Sequence, residues 1–87
     1  MSDADKLIAE VKGMGFVHQE GKGKGVLEKH IEKRGLPAHL IVLISERDAS
    51  MLVDINTDTP FKFHFKRNFH EATEFIRDYL KEAREAT

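Results

Sequence analysis

The chain reads as an α+β protein. The expected architecture is a two-layer sandwich, an antiparallel sheet of three to four strands with helices packed on it, in the order α-β-α-β-β-β-α. Three observations predict it. Phe61, Phe63 and Phe65 alternate with Lys62, His64 and Lys66, and a period of two is that of a strand with one apolar face, expected under helices, and one wet, basic face. Leu40-Ile41-Val42-Leu43-Ile44 is an unbroken apolar run rich in β-branched residues, as a central strand requires. Two segments far apart in the sequence carry apolar residues at helical spacing: Leu7, Ile8, Val11 and Met14, and Ala72, Phe75, Ile76, Tyr79, Leu80 and Ala83.

In chain order, Ser2 or Asp3 caps a first helix, whose early acids suit its positive end and which Gly13 and Gly15 terminate. Phe16 to Gln19 is a short strand. Gly21-Lys22-Gly23-Lys24-Gly25 is a loop, because three glycines in five residues cost too much entropy inside a helix or strand. Val26, Leu27, His30 and Ile31 repeat at helical spacing and Gly35 stands where a helix-ending glycine belongs, so residues 26–34 are expected to be a helix. The rival is a strand continuing a hairpin across the glycine loop, with Leu27 and Ile31 on one face and Lys29 between them. Leu36-Pro37 is read as a break. The strand at 40–44 is followed by a turn at Glu46 to Ala49 and a strand at 51–55 with Met51, Val53 and Ile55 inward. A second turn at Asn56 to Pro60 leads to the phenylalanine strand. Asn68 and Glu71 form a capping box for a last helix running to about Arg84.

The 87 residues are expected to form a single domain, 1–87. With no cysteine there is no disulfide, thiolate nucleophile or cysteine-bound zinc. The longest apolar run is far short of a membrane span and the first residues have no signal-peptide pattern, so a soluble cytoplasmic protein is expected. Fifteen acids against fourteen bases give a net charge of −1, so the overall charge offers no pull towards nucleic acid or membrane. The charges are segregated: Lys22, Lys24, Lys29, Lys33 and Arg34 crowd one stretch, Lys62, Lys66 and Arg67 another, and the last helix is acidic.

Two local constellations stand out. The glycine-lysine loop could present converging N–H groups, with Lys22 and Lys24, to an anion at the start of the helix expected after it. Joined by Lys62, Lys66 and Arg67, it makes an RNA- or phosphate-binding surface. The spacing is that of neither a P-loop nor the Gly-x-x-Gly of KH domains. The second constellation is apolar: with Val42 towards the helices, Ile41, Leu43 and Leu52 face the other way, and they form either an interaction surface or, where a helix covers that face too, ordinary core. His18, His30, His39, His64 and His70 lack metal-ligand spacing, although His18 and His64 could meet on a sheet, and no metal or cofactor is expected. Ser45, Ser50, Asp48, Asp54 and Asp58 have no catalytic context. The leading expectation is a small non-enzymatic interaction module acting through its sheet face, with another protein or a second copy as partner. The RNA- or phosphate-binding domain comes second, and a small-molecule enzyme with no nominated residue third.

Overall fold

A computed structural model describes residues 2–33, 35–47, 50–58, 61–82 and 84–85, with side chains for all of these except 33, 47, 58, 61–65, 84 and 85. The fold is α+β, an antiparallel sheet with helices packed on it. Its elements run α1 (Asp3–Gly13), β1 (Val17–His18), β2 (Val26–Lys33), β3 (Leu36–Arg47), β4 (Ser50–Asp58), β5 (Phe61–Lys66), α2 (Phe69–Lys81) and β6 (Arg84–Glu85). The strands lie in the order β1-β2-β3-β4-β5, with β6 beside β2.

Both helices start as their sequences direct. The Ser2 side chain accepts from the Asp5 amide, and α1 buries Ala4, Leu7, Ile8 and Val11. The Asn68 side chain accepts from the Glu71 amide at 2.8 Å, and α2 buries Ala72, Thr73 and Ile76. Thr73 suits a helix interior here because its hydroxyl donates to the carbonyls of Phe69 and His70. The helix stops at Lys81 rather than near Arg84. Arg84 and Glu85 instead pair with Glu32 and Ile31, while Ala83 lies outside the described residues.

The main correction falls on residues 26–34. Residues 26–33 form β2, paired with β3 over eight positions from Val26↔Leu43 to Lys33↔Leu36. Local helix propensity yields here to a tertiary demand: β3 is a long apolar strand that β4 covers on only one side. Gly35, at φ 77°, turns a tight hairpin between Lys33 and Leu36; residue 34 lies outside the described residues. The positive φ that would end a helix also makes a two-residue hairpin. Leu36-Pro37 is therefore no break, since β3 begins at Leu36 and Pro37 pairs with Glu32. The strands also exceed their apolar cores: β3 takes in Glu46 and Arg47, and β4 takes in Asn56 to Asp58. Of the two expected turns, residues 48, 49, 59 and 60 lie outside the described residues. At roughly 3.3 Å per residue, the twelve residues of β3 account for the long dimension of 40 Å.

One core results. Leu27 and Ile31 of β2, Ala38, Leu40, Val42 and Ile44 of β3, and Met51, Val53 and Ile55 of β4 join the apolar residues of α1 and α2 and Phe16. These strand positions alternate along each strand and match across the register, as in Leu27↔Val42↔Ile55. Burying each of the larger side chains contributes about 1.5–3 kcal/mol before entropy is counted. An Arg77–Glu10 ion pair ties α2 to α1 at the surface. No helix among the described residues is long and apolar enough to cross a membrane.

Gly25 sets the entry to β2. Its carbonyl accepts from the Ile44 amide at 2.7 Å, and a Cβ there would stand 2.1 Å from the Ile44 carbonyl oxygen. Gly23 has open space around the same position. Gly25→Ala should therefore lower stability by about 1–3 kcal/mol, while Gly23→Ala should be close to neutral. Urea titrations of the two variants check this, and equal midpoints would contradict the close approach.

Candidate functional site

The candidate site is the sheet face that the core does not use. Residues alternating with the buried row share it: Val17, Val26, Glu28, His30, His39, Ile41, Leu43, Ser45, Leu52, Asp54 and Asn56. The register strings them into rows, Val17↔Glu28↔Ile41↔Asn56↔Phe63 across five strands and Val26↔Leu43↔Asp54↔Phe65 beside it. The described helices pack on the opposite face. Ile41 and Leu43 are half-buried, while Leu52 is 39% and Val17 61% exposed. Ile41, Leu43 and Leu52 thus lie together on the helix-free face, as the alternation with Val42 predicts.

The register reverses the expected facing of the phenylalanine strand. Lys66, His64 and Lys62 pair with Val53, Ile55 and Thr57, all in the helix-facing row, whereas Phe65, Phe63 and Phe61 pair with Asp54, Asn56 and Asp58. Positions 61, 63 and 65 therefore fall on the helix-free face; their side chains lie outside those described. Lys66 agrees with this, since its ammonium lies 5.2 Å from the centre of the Phe75 ring on α2. Alternation showed that the two residue sets oppose each other, but only the β4–β5 register says which set meets the helices.

A polar cluster occupies the β1–β2–β3 part of the face. Glu28, its side chain only 18% exposed, accepts from the Gln19 amide nitrogen at 3.0 Å. His39 Nδ1 stands 3.1 Å from the same carboxylate and His30 Nε2 3.4 Å. The two imidazoles are cross-strand neighbours with ring centres 5.8 Å apart. Sequence reasoning missed this cluster because Glu28 and His30 share a face only if the segment is a strand. No group of three His, Asp or Glu side chains among the described residues is arranged to hold a metal ion.

On β4, the Asn56 side chain hydrogen-bonds Asp54, but burial outweighs that bond and pushes the Asp54 carboxyl above its ordinary value. Oδ1 of Asp54 and Oδ1 of Asn56 are both buried with no hydrogen-bond partner among the described residues.

The proposed anion surface is not brought together. Lys22 lies in the β1–β2 turn, where Lys22 N–H donates to the Gln19 carbonyl and Val26 N–H to that of Gly23. No helix follows the turn, so the helix-end contribution to an anion cradle is lost. Lys24 is paired with Asp5 at 3.2 Å; hydrogen bonds from Lys24 and Ser2, with the Lys24 charge, hold the Asp5 carboxyl below its ordinary value. Lys62 and Lys66 are on β5, with Arg67 just beyond it. Lys24 adjoins Gly25, which bonds Ile44 of β3, so it stands three strand spacings from β5, roughly 14 Å, while β1 and β5 are four apart, roughly 19 Å. His18 and His64 are parted in the same way and do not meet. A cleft of about 430 Å³ beside Lys24, Asp5, Ser45 and Glu46 holds the Lys24–Asp5 pair and no nucleophile–base pair among the described residues.

The Asp54 environment has a pH consequence. Between the ordinary aspartate value of 3.8 and its raised native value, the native state binds more protons than the unfolded one. This group's contribution to stability therefore falls as pH rises through that window. Asp54→Asn removes the charge and offers Asn56 Oδ1 a donor. At pH 7 the variant should be more stable by on the order of 0.5 kcal/mol, with a flatter acid-side profile. Denaturation midpoints at pH 4 and pH 7 measure both, and a less stable variant at pH 7 would contradict the reading.

Comparison with protein-family models, with curated proteins and with solved structures finds no match for this chain.

Proposed function

We propose that the chain is a non-enzymatic interaction module that works through the helix-free face of its sheet, with Ile41, Leu43 and Leu52 at the apolar centre and a second copy as a candidate partner. One observation carries the reading: these three residues, with Val17 and Val26, lie together on a face to which neither described helix contributes. An apolar surface without internal cover is stabilised by association.

The dimensions support it. With strands about 4.8 Å apart and rising about 3.3 Å per residue, β1 to β5 define a face on the order of 600 Å², at the lower end of what each partner buries in a stable complex. Two such faces pack about 10 Å apart with strands nearly aligned. Glu28, already engaged by Gln19 and the histidines, adds polar groups that are largely satisfied within the chain. The RNA- or phosphate-binding alternative has less support, because no helix follows the glycine-lysine loop and Lys24 is engaged with Asp5.

The wild-type chain should show weight-average mass rising with concentration in sedimentation equilibrium. Leu43→Glu should remain folded and associate at least roughly tenfold more weakly, one such step being about 1.4 kcal/mol. A folded wild-type chain that stays monomeric at millimolar concentration, or a Leu43→Glu variant that unfolds, would reject self-association through this face.

A further inference from the structure

The two edges of the sheet differ. The edge of β2 is taken by β1 and, further along, by β6. The outer edge of β5, the last strand in the order, pairs with no strand among the described residues. A free edge presents unpaired N–H and C=O groups along every second residue, which is what an added strand requires.

Charge and parity decide what fits there. From Thr59 to His70 the sequence has Lys62, Lys66 and Arg67 and no acid. Antiparallel pairing joins residues of the same face. A two-fold pairing of β5 with its own copy therefore has two central registers. One sets Lys62 against His64 with Phe63 on the axis; the other sets Lys62 against Lys66 with His64 on the axis. The second sets two lysines opposite one another and the first sets a lysine against an imidazole, so neither register supplies a complementary charge for a second copy at this edge. An incoming strand that alternates acidic with apolar residues meets neither obstacle. Its acids oppose positions 62, 64 and 66, and its apolar residues oppose Phe61, Phe63 and Phe65 and continue the helix-free face outward.

We propose that the outer edge of β5 takes up an extended acidic–apolar segment of another protein by strand addition, its main chain pairing with β5 and its acids set opposite the basic positions 62 and 66. This stands apart from the sheet-face reading, since it needs the edge and not Ile41, Leu43 or Leu52.

The test uses the full isotope-labelled chain and two capped synthetic heptapeptides, one alternating valine with glutamate and the other valine with lysine. The glutamate peptide should shift the amide signals of residues 61–67 and bind roughly tenfold or more tightly than the lysine peptide, with affinity falling as salt rises. Lys62→Glu/Lys66→Glu should reverse the preference. Equal affinity for the two peptides overturns the proposal. So do shifts centred on Ile41 and Leu43, which mean face binding, or a single-stranded oligouridine that occupies 61–67 more tightly than the glutamate peptide. If the double variant fails to fold, the wild-type peptide pair decides alone.

Discussion

The structure depends on the pairing of β3 on both of its sides. Its twelve residues are laddered to β2 along one edge and to β4 along the other, and each ladder fixes which residues of the neighbour share a face with Leu40, Val42 and Ile44. A slip of one residue would carry Leu27, Ile31, Val53 and Ile55 out of the core together. The close approach of Gly25 to Ile44 helps hold the β2 register at one end, and the tight turn at Gly35 closes it at the other. The helices then have one apolar row to cover, and the ion pair between Arg77 and Glu10 joins them over it.

The same parity generates the candidate site. Because Val42 is buried, Ile41 and Leu43 face away from the helices, and the row through Ile41 crosses the sheet from Val17 to position 63. The face is mixed in character. Its apolar centre is flanked on the β2 side by the Glu28 carboxylate with Gln19, His30 and His39, and on the β4 side by the Asp54–Asn56 pair, whose Oδ1 atoms find no partner among the described residues. The chain thus retains polar groups on a surface that a purely architectural sheet would leave to apolar or fully solvated residues. That cost in stability falls on the face that the described helices leave open.

Much of this was legible in the sequence, for definite reasons. Both helices announced themselves through cap residues and apolar stripes, and Ser2, Asn68 and the stripes do what their types predict. Met51, Val53 and Ile55, and the opposed pair of Val42 against Ile41 and Leu43, followed from the period of two. The strand identity of 26–33 was not legible, because Leu-Glu-Lys-His-Ile-Glu-Lys favours a helix locally and a positive-φ glycine serves a helix end and a hairpin equally. The Glu28 cluster was hidden with it. The face on which positions 61, 63 and 65 fall was misread because alternation defines two faces without naming the buried one. The anion cradle read into the glycine-lysine loop leaned on a helix after Gly25, and β2 stands there instead.

The central claim is that the sheet is buried on one face and open on the other. The chain has no cysteine, so single cysteines placed in turn at positions 40 to 45 can report it through native-state thiol labelling of dilute, folded protein. The account predicts slow labelling at 40, 42 and 44 and fast labelling at 41, 43 and 45, with 41 and 43 slowing as concentration rises. Protection at 41 and 43 equal to that at 42 in the dilute monomer would show that the second face is covered from within the chain, and the open-face account would then be wrong.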